Sequence, residues 1–245
     1  MSNVLVTGGS RGVGKGICQS FLEQGHNVVF TCRSQENLSD CMNSLSSFAK
    51  QNIFRGVICD SGIFEEVRSA VSSSVDIMGS IDILVNNAGL RKYGSIQDIN
   101  VESWIEAVNT NINGYFYFCK LCLPHLKKSI DPWIFNIGST AAYTSFAGGI
   151  SYNTTKAAVH ALSSSIELDV RKEGIRVCTI SPGNIFNKEH ECPKEDVWMM
   201  KPVEVGYCIV NLLKFDKSIT PTIIELKPTD SPDHPEKGIR TLRYI

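Results

Sequence analysis

Short apolar runs alternate along this chain with longer stretches in which apolar residues recur every three or four positions. Val4–Val6 is the first run, and Val13, Ile17 and Phe21 then repeat at i, i+4 and i+8, with Gly25 as a helix stop. Val28–Phe30 is the second run, followed by a helical stripe of Leu38, Met42, Leu45 and Ala49. Phe54–Cys59 and Ile81–Val85 read as two more strands. Between them Ile63, Val67, Ala70, Val71, Val75 and Met78 form one helical face. Trp133–Ile137, Arg176–Ile180 and Thr222–Leu226 complete the strands, and helices are expected over about 100–128, 153–173 and 203–214.

Apolar strands with little alternation are expected to be buried on both faces. Strand–helix alternation requires crossover connections. The pattern therefore predicts an α/β fold, a Rossmann-like doubly wound parallel sheet of about seven strands flanked by helices on both faces. Such sheets bind ligands beyond the carboxyl ends of their strands. No repeat or low-complexity linker divides the chain, so residues 1–245 are expected to form one domain. Lys227–Ile245, rich in Pro, Asp and charge, reads as a surface tail that can pack on a partner subunit.

Composition narrows the function. Lys+Arg number 24 against Asp+Glu 25, so a basic footprint for nucleic acid is missing. Hydrophobic residues at 42% and charged residues at 20% are globular proportions. No apolar stretch approaches the ~20 residues needed to span a bilayer. Met1–Gly8 lacks the charged and long apolar regions of a signal peptide, so a cytoplasmic location is expected. The nine cysteines, at 18, 32, 41, 59, 119, 122, 178, 192 and 208, are odd in number and scattered over apolar segments. They read as buried free thiols in a reducing compartment. Cys119 and Cys122 share a helical face with no second Cys or His pair nearby, so packing is expected rather than metal binding. His190, Glu191 and Cys192 are adjacent residues, which rarely chelate one ion, and are expected in a solvated loop.

The first strand runs into Thr7-Gly8-Gly9-Ser10-Arg11-Gly12-Val13-Gly14. Glycines let such a turn tighten and let its backbone approach a pyrophosphate, while the helix that follows offers free N–H groups and a positive dipole end. Gly8, Ser10, Arg11, Gly12, Val13 and Gly14 are therefore candidates for binding a dinucleotide, with another mononucleotide or a methyl donor as the alternative. The acidic residue that would hold a ribose 2′-hydroxyl is absent after the second strand, where the chain reads Thr31-Cys32-Arg33-Ser34. Arg33 with Arg11 can clamp a 2′-phosphate, and Ser34 lies beside them. This favours NADP(H) over NAD(H). The bland alternative is a solvated arginine at a strand end.

In this order and spacing, Thr7–Gly14, Asp60, Asn86-Asn87-Ala88-Gly89, Ser139 with Tyr152-x3-Lys156, and Pro182-Gly183 resemble the short-chain dehydrogenase/reductase family over nearly the whole chain. The resemblance implies a seven-stranded parallel sheet, an NAD(P) cofactor and carbonyl/alcohol redox chemistry on a small molecule. It also implies a homodimer or homotetramer packed through the helices near 100–128 and 153–173. By the same resemblance Asp60, with Ser61 beside it, meets the adenine, though an Asp at this place also serves as an N-cap. Asn87, Ala88 and Gly89 line the adenosine ribose. Asn111 helps hold a water chain to the lysine, and a helix-interior Asn needs a structural reason in any case. Pro182 and Gly183 end strand six beside the nicotinamide, and Ile185 offers its backbone to the carboxamide.

The chemistry suits these residue types. Hydride transfer to a carbonyl builds negative charge on its oxygen, which needs a proton and hydrogen bonds. Tyr152 can supply the proton. A phenol has a pKa near ~10 and needs help near neutrality. Lys156, one turn on, favours the phenolate and can reach nicotinamide ribose hydroxyls as in relatives. Ser139 can donate to the substrate oxygen.

Three departures stand out. Asn187 occupies a position where relatives often carry Thr, and the stretch from Asn184 to Pro202 is short for a substrate lid. A short lid implies an open pocket or one completed by another subunit. The last strand lacks the Gly-Gly ending of many relatives and resembles a subset acting on small hydroxy acids. Tyr93, Phe146 and Trp198 are candidate pocket residues. The expected function is an NADP(H)-dependent oxidoreductase. A non-catalytic NAD(P)-sensing protein and a methyltransferase are the alternatives, and neither has work for Ser139, Tyr152 and Lys156 together.

Overall fold

The computed structural model describes residues 1–186 and 198–229. Among them seven strands form one parallel sheet in the order β3-β2-β1-β4-β5-β6-β7. The strands are β1 (Asn3–Val6), β2 (Asn27–Cys32), β3 (Phe54–Ile58), β4 (Ile83–Asn86), β5 (Trp133–Ile137), β6 (Arg176–Pro182) and β7 (Ile223–Leu226). The helices are α1 (Gly12–Glu23), α2 (Gln35–Ala49), α3 (Phe64–Met78), α4 (Val101–Val108), α5 (Gly114–Leu126), α6 (Ile150–Val170) and α7 (Pro202–Leu212). The strand order reverses between β1 and β4, which makes the carboxyl ends of these two strands a crevice for a ligand.

Successive strand residues face opposite sides, and each side is a separate core. Val4, Val6, Val28, Phe30, Val85 and Phe135 meet α1 and α7 through Ile17, Phe21, Val205 and Ile209. Leu5, Val29, Leu84, Ile134 and Val177 meet α3 and α5 through Val67, Val71, Phe118 and Cys122. Fully burying each such side chain is worth about 1.5–3 kcal/mol.

Burial on both faces holds for β2, β4, β5 and β6 but not at the edges, where Ile58 of β3 and Ile223 of β7 are exposed. The helix expected over 100–128 is divided. A π-helical turn, Asn109–Asn113, separates α4 from α5. The aromatic run inside α5 also divides: Tyr115 and Phe118 are core, whereas Phe116 is half exposed. Cys18, Cys32, Cys41, Cys59, Cys119, Cys122 and Cys178 are buried free thiols, and Cys208 is partly exposed. Cys192, with His190 and Glu191, lies outside the described residues, as do Asn187 and the tail beyond residue 229. No helix among the described residues is long and apolar enough to cross a membrane.

Candidate active site

The glycine-rich turn is tied to the carboxyl end of β4. Thr7 Oγ1 accepts the N–H groups of Asn87 and Ala88, both at 2.9 Å. Asn87 Nδ2 donates to the carbonyls of Thr7 and Gly8, both at 3.0 Å. Gly8 has φ +61°, and a Cβ there would stand 2.8 Å from Ala88 Cα. A Cβ on Gly14 would stand 2.2 Å from the Gly8 carbonyl oxygen. The turn therefore closes only with glycine at both places. Arg11 is the N-cap of α1, which has no side-chain cap and no acidic residue in its first turn. Backbone donors and the positive helix end suit a pyrophosphate here, so the residues fit the dinucleotide.

At the end of β2, Ser34 caps α2 by accepting the Asn37 N–H at 3.4 Å. Asp60 is not a helix cap. Its Oδ1 accepts the Gly62 N–H at 2.8 Å, α3 is capped at Ile63, and Glu66 reaches back to the Asp60 N–H. The reason is that the chain makes a tight turn through Ser61 and Gly62 before helical geometry begins. Ser61 is buried and lies against Gly114 at the start of α5. Arg33 is half exposed and stands between two carboxylates, 3.5 Å from Glu106 and 3.9 Å from Asp60. Glu106 also pairs with Lys92 at 2.7 Å. The Lys92 hydrogen bond, with the Arg33 charge, holds the Glu106 carboxyl below its usual range.

Lys156 is buried on α6, and its Nζ donates to the Ile137 carbonyl at 2.7 Å, at the end of β5. The same Nζ lies 5.9 Å from the centre of the Tyr152 ring and 5.7 Å from that of Tyr115. Burial, with a smaller contribution from the Arg91 charge, lowers the lysine pKa to about 7. Tyr115 Oη donates to the same Ile137 carbonyl at 3.0 Å. Ser139 lies two residues after the end of β5, and its Oγ accepts the Ala141 N–H at 3.2 Å as it caps a 3₁₀ turn, Thr140–Ala142.

Asn111 is fully buried in the π turn. Its Oδ1 accepts the Leu90 N–H at 2.7 Å, and its Nδ2 donates to the Leu90 carbonyl at 2.9 Å and to Thr155 Oγ1 at 3.0 Å. Gly89 lies against this amide. Thus the side chain fastens the segment after β4 to α6, one residue before Lys156.

Of the three aromatic candidates, two surround Tyr152. Tyr93 and Phe146 have ring centres 6.2 and 6.5 Å from it and 5.9 Å from each other. Trp198 has a buried indole N–H without a partner among the described residues. Pro182 ends β6, and the Gly183 N–H bonds to the Leu226 carbonyl at 2.8 Å. Asn184 and Phe186 bond to the backbone of Met200, which leaves the Ile185 N–H and carbonyl outside that pair of bonds.

Three features escaped the sequence reading. Arg91 has its guanidinium 5.8 Å from the centre of the Tyr152 ring. Glu106 bridges Lys92 and Arg33. His160, one turn after Lys156, meets Ser181 Oγ at 2.8 Å, and burial and the Lys156 charge push its imidazole down from the usual range. The signals were present: two basic residues follow strand four's carboxyl end, and His160 sits at i+4 from Lys156.

Comparison with known proteins agrees with this architecture. The family model for short chain dehydrogenase matches residues 2–190. An uncharacterized oxidoreductase of Staphylococcus epidermidis is 32% identical over 181 residues, which cover 74% of this chain and 76% of that protein. An alcohol dehydrogenase from the archaeon Thermococcus sibiricus, solved with 5-hydroxy-NADP, superposes with a TM-score of 0.85 at 22% identity, over 94% of this chain and 98% of that one. Serine dehydrogenase from Escherichia coli superposes with a TM-score of 0.78 at 29% identity, over 91% and 96% of the two chains. With a matching family model over most of its length and a relative of this identity and coverage, the chain belongs to the short chain dehydrogenase family of oxidoreductases.

Proposed function

We propose that the protein interconverts a carbonyl and an alcohol with NADP(H), using Tyr152 as general acid and base. When bound, the nicotinamide supplies or takes up the hydride. Tyr152 gives its phenolic proton to the carbonyl oxygen in reduction and removes the hydroxyl proton in oxidation. Lys156 favours the phenolate through its charge. The Ser139 hydroxyl donates to the same substrate oxygen. Asn111 acts through Leu90 and Thr155 and is a positioning residue.

The observation that carries this reading is the lysine. Lys156 is buried beside Tyr152, fixed to the Ile137 carbonyl, and without a carboxylate partner among the described residues. A structural lysine gains little from such a place, because burial disfavours its charge. A phenolate formed at Tyr152 would be the compensating anion.

The preference for NADP(H) rests on Arg33 and Arg11 and on the missing acidic residue after β2. The 5-hydroxy-NADP held by the Thermococcus sibiricus enzyme points the same way. A cytoplasmic homodimer or homotetramer belongs to this reading. Val101 and Ile105 on α4 and Phe116 on α5 are exposed apolar side chains that support it. Fluorescence titration with NADPH and with NADH is the test. Tight NADPH and weak NADH are expected. Equal affinities would remove the arginine clamp, and no binding of either would end the dinucleotide assignment.

A further inference from the structure

We propose that the substrate carries a carboxylate and that Arg91 receives it, so that the reaction is the interconversion of a short hydroxy acid and its oxo acid. This rests on the oxidoreductase reading above and names its substrate class.

Arg91 follows β4 at the carboxyl edge of the sheet, with its guanidinium over the ring of Tyr152. It makes no ion pair among the described residues, unlike Arg33, Arg68 and Arg176. The carboxylates of this region are engaged elsewhere. Glu106 is held by Lys92 and Arg33, and Glu225 by Lys227 and the Tyr143 hydroxyl.

The arginine works against its neighbour. Its charge adds to the burial that disfavours the Lys156 ammonium, so its place is not explained as support for that lysine. An anion bound at Arg91 reverses this local effect. A guanidinium presents a planar fork of donors that fits a carboxylate with two parallel hydrogen bonds. A phosphate fits less well, because the adjacent cation, Lys92, is already paired with Glu106.

The surroundings set the size. Tyr93 and Phe146 are exposed and form an open aromatic wall beside Tyr152. A few carbon atoms against this wall would join an oxygen at the Tyr152 hydroxyl to a carboxylate at Arg91. In oxidation the carbinol carbon loses a hydride to the oxidised nicotinamide nucleotide, the hydroxyl proton passes to the Tyr152 phenolate, and the carboxylate is unchanged.

The experiment compares 2-hydroxypropanoate, 3-hydroxypropanoate and 3-hydroxybutanoate with their methyl esters, using NADP⁺ and the full chain. For at least one pair the acid is expected to exceed its ester by about tenfold or more in kcat/KM, the scale of a lost polar contact. Arg91→Gln should lower the acid-to-ester ratio by a similar factor, mainly through KM, and Arg91→Lys should restore part of it. Esters used as well as acids, or an Arg91→Gln variant with an unchanged ratio, would overturn the assignment. If no compound turns over, calorimetry of the three acids into the NADPH complex decides. Binding lost in Arg91→Gln supports the carboxylate site, and no binding overturns it. Failure of the oxidoreductase reading is separate, because it appears as absent nucleotide binding or as turnover that survives Tyr152→Phe.

Discussion

Lys156 on α6 and Ile137 at the end of β5 are joined by an Nζ-to-carbonyl hydrogen bond of 2.7 Å. The bond crosses from helix to sheet and fixes the amine beside Tyr152. Tyr115 donates to the same carbonyl, so this oxygen keeps a partner if the lysine is removed.

That arrangement makes stability depend on pH. The folded lysine has its pKa lowered from 10.5 to about 7, so between these values the unfolded chain binds more protons. The penalty of burying an ammonium is fully present below pH 7 and is lost as pH rises toward 10.5. Lys156→Met should therefore be more stable than the parent at pH 6.5, by an amount no larger than about 5 kcal/mol. The advantage should shrink by pH 9. Urea unfolding of both proteins at the two pH values checks this, and a constant difference would contradict it.

Tyr152→Phe removes one hydroxyl from a ring that keeps its contacts with Tyr93 and Phe146. Turnover is expected to fall by about 10²–10⁴-fold, the usual contribution of a general acid and base. NADPH affinity should change by less than about threefold, since the ring and Lys156 remain in place. Single-turnover kinetics and fluorescence titration separate the two effects.

In the proposed binding mode Arg33 would receive the 2′-phosphate in competition with Glu106, which it meets at 3.5 Å. Arg33→Ala should reduce the NADPH-to-NADH affinity ratio by about tenfold, the value of a charge-assisted hydrogen bond. Glu106→Gln removes the competitor and should raise that ratio by about threefold, a fraction of a surface ion pair. Titrations at low and high salt should show the second effect fading as screening increases.

Asn111→Ala would leave the half-buried Leu90 N–H and carbonyl, and the buried Thr155 hydroxyl, without their partner. A loss of about 2–4 kcal/mol in stability is expected, together with reduced kcat. Thermal unfolding checks the first part. An unchanged melting temperature with reduced kcat would mean that Asn111 acts by proton relay alone.

Seven apolar runs were enough to place all seven strands, because a parallel sheet buries its central strands on both faces. The glycine turn and the Ser139, Tyr152 and Lys156 set were legible because each lies at a strand end or on one helical face. The edges were misread, since Ile58 and Ile223 look like core residues until the strand order is known. Glu106 was missed because it meets Arg33 across 73 positions of sequence, where no local pattern reports a contact. The π turn was missed for a different reason. Asn109-Thr110-Asn111-Ile112-Asn113 carries almost no apolar phase from which a change of helical pitch can be read.

That turn sets the rotational phase of the helix after it. Each residue of an α-helix advances the side chains by about 100°. Tightening these five residues to regular α pitch with none removed would advance α5 by roughly that angle relative to α4. Tyr115, Phe118 and Cys122 would turn away from the sheet, and Gly114, Tyr117 and Leu121 would take their places. The extra residue thus lets one continuous rod hold two registers, with Asn111 aimed at Leu90 and α6 while the next turns are aimed at the strands.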